Sequence, residues 1–277
     1  MSFAQQREIW KQQASRWEHV GPPTRPTPED GRLLLEMGIP PDTDRPDGLQ
    51  VAILGVTPEV VQLPWPANTR LQAFDMSAEM IARMWRPNPT AVSHVTQARW
   101  QSLPVESQSV NLVAGDGALT ALQGMVECRE VLSEMARVLR PGGRLVLRCF
   151  VRPHTAETLP EVVADVMAGR IRHFGTLKWR LAMALCDSES ATVAPMDIRD
   201  TFDRLFPDRR TLHQIRGWAL ETIDTIDSYA GMGGHFTFMT LEQLRGLARP
   251  QFTIEAVRQG NYELAERCPT IAFTRRD

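Results

Sequence analysis

The chain predicts an α/β protein built on a doubly wound, mainly parallel sheet. Two observations carry this. Between residues 49 and 151 short apolar runs alternate with helical stretches, the pattern of parallel strands joined by crossovers. After a helix-rich stretch, residues 152–248, two strand-like runs return. The helical stretch therefore reads as a cap inserted over the sheet, not as an independent domain. At 277 residues, 43% hydrophobic and 23% charged, the chain has room for one such domain with a helical addition.

Taken in order, residues 3–19 (FAQQREIWKQQASRWEH) fit a helix that places Phe3, Trp10 and Trp17 seven apart on one face. GPPTRPTPEDG follows, and its four prolines demand an extended or turning connection. EDGRLLLEMG is a short helix that stops at Gly38 before Pro40-Pro41, and PPDTDRPDG is a polar linker. LQVAILGV is the first strand; a Thr57-Pro58 turn and a short helix or loop, broken by Pro64 and Pro66, come next. RLQAFD is the second strand, and SAEMIARMW a helix with Ser77 as N-cap and Met80 in its first turn. SHVTQARW and SVNLVAGDG are the third and fourth strands. VECREVLSEMARVLRPGG is a helix expected to stop at Pro141-Gly142-Gly143, ahead of a fifth strand, RLVLRCFV. FTIEAVRQGNYELAERCPTIAFTRR closes the chain as two strands joined by a polar hairpin.

Composition narrows the function. A net charge of −2, with arginines spread along the chain, argues against a nucleic-acid partner. No apolar run reaches the roughly eighteen residues that span a bilayer. The polar start MSFAQQREIWKQQ gives the expectation of a cytoplasmic protein with reduced thiols. The four cysteines have no CxxC pairing and the histidines no HxxxH spacing, so no metal is expected. Lysine stands only at Lys11 and Lys178, away from every motif below, which disfavours Schiff-base chemistry.

One segment is specific. LSEMARVLRPGGRLVLRCF, residues 132–150, resembles the helix–turn–strand of class I S-adenosylmethionine-dependent methyltransferases. LQAFDMSAEMI, residues 71–81, resembles that family's second strand with its terminal ribose-binding acid, and LPVESQSVNLV, residues 103–113, the approach to the fourth. The closing hairpin resembles the last two strands. The resemblance implies a Rossmann-like seven-stranded sheet, its last strand antiparallel. It implies residues 49–151 and 249–277 as the core, a cap at 152–248 between the fifth and sixth strands, and residues 1–48 closing over the cofactor.

The first motif departs from that pattern. Where family members carry an acid and then G-x-G-x-G, this chain has Ile53, Gly55, Val56, Thr57, Pro58 and Glu59. Either the pocket is rebuilt around Gly55, Val56 and Thr57, with the Trp17 helix and Arg25 folding over it, or the site has degenerated. The rebuilt pocket would hold S-adenosylmethionine, and its product S-adenosylhomocysteine, with Asp75, Met76 and Met80 beside the ribose. Arg99 stands where many members place an adenine-binding acid; Trp100 beside it would stack on the base, or else is plain packing, and Gln101 would meet the base edge in place of the missing acid. Gly115 and Asp116 end the fourth strand in the same cleft.

Asp116 is a candidate base that would orient a nucleophile, or else a turn residue beside Gly117. His154, just past the fifth strand, is a second candidate base, or else a loop histidine. The cap's Phe, Trp and Met residues suggest an apolar pocket for a small organic acceptor, although most must form the cap's own core. The expected activity is in-line methyl transfer to oxygen, nitrogen or carbon of a small molecule, with a homodimer left open. The alternatives are a noncatalytic methyltransferase-like partner or regulator, and a different reaction on the same cofactor.

Overall fold

The computed structural model describes residues 17–39 and 48–276. Its nine strands are β1 Leu49–Leu54, β2 Thr69–Asp75, β3 Val92–Gln97, β4 Val110–Asp116, β5 Leu139–Arg148, β6 Thr192–Val193, β7 Phe236–Thr237, β8 Phe252–Arg258 and β9 Thr270–Arg275. Seven of them form one sheet in the order β3-β2-β1-β4-β5-β9-β8. Neighbours from β3 to β5 run parallel, while β9 lies antiparallel between β5 and β8. This is the Rossmann-like sheet expected from the sequence. In β1 only Gln50 escapes full burial, as suits a strand covered on both faces.

Helices cover the two faces. On one lie α1 (Pro28–Gly38), α2 (Pro58–Val61) and α3 (Ala78–Met84). They bury Leu33, Leu34, Val60 and Met84 against Val51, Ile53 and Leu112. Thr27 caps α1 in a reciprocal box, its hydroxyl accepting the Asp30 N–H and Asp30 accepting the Thr27 N–H. On the other face α4 (Met125–Val138) buries Cys128, Val131, Leu132 and Met135. All four cysteines are free thiols.

The insert holds α5 (Leu159–Met167), α6 (Phe174–Leu185), α7 (Pro195–Leu205), α8 (Arg209–Arg216) and α9 (Leu220–Ile223) around a separate core that includes Phe174, Leu181, Ile198 and Phe202. Its β6–β7 ladder was not anticipated; two residues per strand leave too short an alternation to see.

Three boundaries differ from the sequence reading. Helix α4 ends at Val138, and β5 begins at once. The chain Arg140–Gly143 loops out where the β4–β5 register jumps from Val110↔Leu139 to Leu112↔Arg144. Helix α10 (Leu241–Ala248), expected to belong to the cap, packs Leu244 and Leu247 into the sheet-side core beside α4. Of the expected N-terminal helix, Trp17–His19 form a single 3-10 turn. Residues 3–16, with Phe3 and Trp10, and the linker at 40–47 lie outside the described residues. No helix among the described residues is long and apolar enough to cross a membrane.

Candidate active site

The carboxyl ends of β1, β2 and β4 open into one cavity, where doubly wound sheets bind ligands. Gly55 leaves β1 with φ +93, a conformation that side chains rarely adopt, and its N–H donates to the Phe74 carbonyl at 2.8 Å. This bond ties the first turn to β2. A Cβ at Gly55 would find Trp100 Cζ2 at 3.8 Å and Asp75 Oδ2 at 3.9 Å. The three residues therefore meet at one point of the wall. The Trp100 indole N–H donates to the Phe74 carbonyl at 2.7 Å, which fixes its ring across the ends of β1 and β2.

Asp75 ends β2. Its Oδ1 accepts the Ser77 N–H at 2.8 Å, and the Ser77 hydroxyl in turn accepts the Met80 N–H to cap α3. Burial pushes the Asp75 carboxyl up to about 6, with the Ser77 N–H holding it back from a larger rise. Val56, Thr57, Met76 and Met80 line the cavity on this side, and Arg99 and Gln101 complete it. Thr57 starts α2 without making a side-chain cap.

Glu59, the acid of the altered motif, turns toward the N-terminal segment. Its Oε1 accepts from Arg25 Nε at 2.5 Å, and the Arg25 guanidinium lies 5.7 Å from the centre of the Trp17 ring. Trp17 and Thr24 line the cavity; Arg25 stands behind them and is not part of its wall. Three buried polar atoms at this junction have no partner among the described residues: Trp17 Nε1, Thr24 Oγ1 and Glu59 Oε2.

Asp116 reaches the cavity but is engaged elsewhere. Arg148, 2% exposed, donates from Nε to Asp116 Oδ1 at 2.5 Å. The same guanidinium donates to the Pro23 carbonyl at 2.8 Å and lies 3.6 Å from Asp30 Oδ2. Tyr262, between β8 and β9, donates its hydroxyl to Asp30 Oδ1 at 2.8 Å. Burial raises the Asp116 carboxyl against the pull of Arg148, and Arg148 is held charged. Asp116 is thus one end of an ion network that binds the N-terminal segment over the sheet, a role the sequence reading did not assign. Gly115 lies within the sheet, its would-be Cβ 3.1 Å from Leu147 and 3.2 Å from Leu54, and does not line the cavity. His154 is exposed and outside the cavity, because the chain after β5 turns away along the surface.

The far end of the cavity lies in the insert, where Phe150, Lys178, Trp179, Tyr229 and Phe236 close it. Trp179 packs 5.0 Å from Phe150 and 5.9 Å from Phe236, centre to centre. Lys178 is buried, donates to Thr225 Oγ1 at 3.1 Å, and sits 5.7 Å from the ring centres of both Phe174 and Tyr229. Sequence reasoning set Lys178 aside. The signal that could have found it is a lysine placed in FGTLKWRLAMAL, a helix apolar on nearly every side, in a chain that otherwise uses arginine. At the start of α6 a Cβ on Gly175 would lie 2.7 Å from the Pro22 carbonyl, so the insert presses the 21–24 loop from above. Among the described residues no group of three or more His, Cys, Asp or Glu side chains is placed to hold a metal ion.

Residues 55–147 match the family described as "Methyltransferase domain". Among solved structures, a candidate Zn-dependent alcohol dehydrogenase from Rhodobacter sphaeroides aligns with TM-score 0.54 at 16% identity, over 96% of this chain and 98% of its own. A chain of the complex between the Haloferax volcanii Trm112 methyltransferase activator and its candidate methyltransferase gives TM-score 0.51 at 12% identity, over 96% of each. The PH0226 protein from Pyrococcus horikoshii gives 0.50 at 14%, over 94% and 98%. At these identities the likeness is one of fold. No protein of curated function matches the chain.

Proposed function

Since the chain belongs to the class I S-adenosylmethionine-dependent methyltransferase superfamily, we propose that it transfers a methyl group to a small organic molecule. The cofactor lies at the Asp75 end of the cavity and the acceptor inside the insert. One observation carries this reading: a single cavity runs from Gly55, Asp75 and Trp100 into a chamber of aromatic side chains.

The residues present suit the cofactor. Asp75 offers a carboxylate whose Oδ2 stands beside Gly55, suited to accept from two ribose hydroxyls. Trp100 offers an aromatic surface, and Met76, Met80 and Gln101 surround it. The unpartnered Trp17 N–H and Thr24 hydroxyl supply polar groups at the opposite wall, in place of the missing glycine turn. When bound, the cofactor supplies a methyl group on a sulfonium, which carries its own leaving group.

The protein's task is then to hold the acceptor in line at roughly 3 Å and to exclude water. The 21–24 loop, clamped between Arg148 below and Gly175 above, forms the roof that excludes it. Neither residue expected as a base is placed to act as one. Asp116 serves Arg148 and His154 is outside the cavity. An acceptor whose nucleophilic atom carries a free lone pair near neutral pH therefore suits this site best.

The Val56-Thr57-Pro58 turn is what favours the second reading, a noncatalytic methyltransferase-like partner. Titration of S-adenosylhomocysteine by calorimetry separates the two. Binding by the wild-type protein, weakened by roughly 1.5–3 kcal/mol in Asp75→Ala, is expected if the site is used. No binding by folded wild-type protein would leave the noncatalytic reading standing.

A further inference from the structure

Building on that reading of the cavity, we infer that the acceptor is an uncharged aromatic molecule bearing a carbonyl-type oxygen, which receives the indole N–H of Trp179 within the insert. That N–H is buried, its residue lines the inner end of the cavity, and it has no hydrogen-bond partner among the described residues. Elsewhere the protein gives this group a carbonyl oxygen: Trp65 donates to Val60, Trp100 to Phe74 and Trp218 to Arg172. Other donors in the wall of the insert are answered too. Lys178 donates to Thr225 Oγ1 at 3.1 Å, Thr225 to the Thr222 carbonyl at 2.7 Å, and Ser228 to the Thr225 carbonyl at 2.8 Å. Folded proteins satisfy nearly all buried donors, so an oxygen on a ligand accounts for the open one.

The chemistry of the wall narrows the ligand. Its charged groups are engaged or distant. Lys178 has Thr225 among its partners, Asp116 pairs with Arg148, Glu127 accepts the Gln123 N–H at 2.9 Å, and Asp75 and Arg99 mark the cofactor end. An ionised ligand group would lose its water without meeting a free partner, so the part of the acceptor inside the insert is uncharged. A ligand hydroxyl would accept from Trp179 but would bring a proton of its own among the rings, whereas a carbonyl oxygen brings none. Phe150, Trp179, Phe236 and Tyr229 follow one another with ring centres 5.0, 5.9 and 5.5 Å apart, in tilted and edge-on pairs that a further flat ring continues. The nucleophilic atom then belongs at the other end of the molecule, toward Gly55 and Asp75.

The test compares aromatic ketones with their exocyclic-methylene isosteres, which keep the shape and lose the oxygen. Acetophenone, 1-indanone and 1-tetralone, their three methylene counterparts, and benzoate are titrated calorimetrically into the protein with and without S-adenosylhomocysteine. At least one ketone is expected to bind roughly tenfold more tightly than its isostere, and more tightly than benzoate. Trp179→Phe should bring the ketone-to-isostere ratio near one, and the ratio cancels the change of ring size that both ligands feel. In protein labelled with nitrogen-15 tryptophan, the indole N–H signal missing from Trp179→Phe should move downfield with the ketone and stay in place with the isostere. Melting curves check that the variant folds, and the wild-type ratio needs no variant. No binding of any ketone, equal binding of ketone and isostere, tighter binding of benzoate, an unmoved indole signal, or an unchanged ratio in folded Trp179→Phe overturns the proposal. Absence of S-adenosylhomocysteine binding with the ketone preference intact strikes only the cofactor assignment, since that preference is also read without it.

Discussion

Replacing Arg148 with methionine tests the claim that a buried ion network, not a catalytic acid, occupies the end of β4. The substitution keeps an unbranched apolar stem but removes the guanidinium. Asp116 and Asp30, 6% and 3% exposed, then lose their shared cation. The Pro23 carbonyl loses a 2.8 Å donor as well. Removing one partner of a buried pair costs about 3–5 kcal/mol, because the remaining charge stays desolvated. For a chain of this size each kcal/mol lowers Tm by about 2–4 °C, so a fall of roughly 6–20 °C is expected. The pH dependence gives a second signature. Without Arg148, burial and the neighbouring Asp30 and Glu59 charges all raise the Asp116 carboxyl, so the folded state favours the protonated form. Stability is then gained as pH falls, and the deficit against wild type should shrink between pH 7 and pH 5. Adding Asp116→Asn in the Arg148→Met background should restore part of the loss. Thermal melts followed by circular dichroism read all three. A fall of less than about 2 °C, or no rescue by Asp116→Asn, would refute the network as the anchor of the N-terminal segment.

Three further outcomes follow from the cavity. Because burial pushes the Asp75 carboxyl up to about 6 and both its oxygens accept, with a full charge, only when it is ionised, S-adenosylhomocysteine should bind about tenfold more weakly at pH 5 than at pH 8; a flat profile by calorimetry would remove Asp75 from the cofactor site. Gly55→Val should cost about 1–3 kcal/mol in stability and abolish S-adenosylhomocysteine binding. The space beside Gly55 is ordinary, so the backbone φ of +93 is the cause, and full binding in this variant would show that the turn serves no ligand. His154→Ala should leave binding and any methyl-transfer rate unchanged, and a loss of rate without loss of binding would return His154 to the mechanism.

The sheet was legible because each strand is an apolar run closed by a turn residue, and LRPGGRLVL fixed its place in the order. Asp75 was legible for a local reason: an acid at a strand end followed at once by a serine that caps the next helix. The roles of Asp116 and Arg148 were not. Arg148 stands in RLVLRCF, where an arginine reads as the exposed face of a strand, and its partners lie 32, 118 and 125 residues away in sequence. Glu59 and Arg25 were each noticed, but their pairing across 34 residues became visible only once the N-terminal segment was laid over the first turn. Helix α10 carries the same amphipathic pattern as the insert's helices, and nothing in that pattern says which core its apolar side faces.

The position of β9 decides when in the life of a chain the roof can close. Five parallel strands and the whole insert are synthesised before residues 270–275, yet β9 enters between β5 and β8. Until it does, β5 presents an open edge, and Tyr262 is not yet held beside Arg148 and Asp30. Residues 21–30, made well before β9, must therefore wait for residues roughly 240 positions later before they are clamped in place. A chain stalled short of β9 would carry every residue of the cavity wall without the closure that keeps water out.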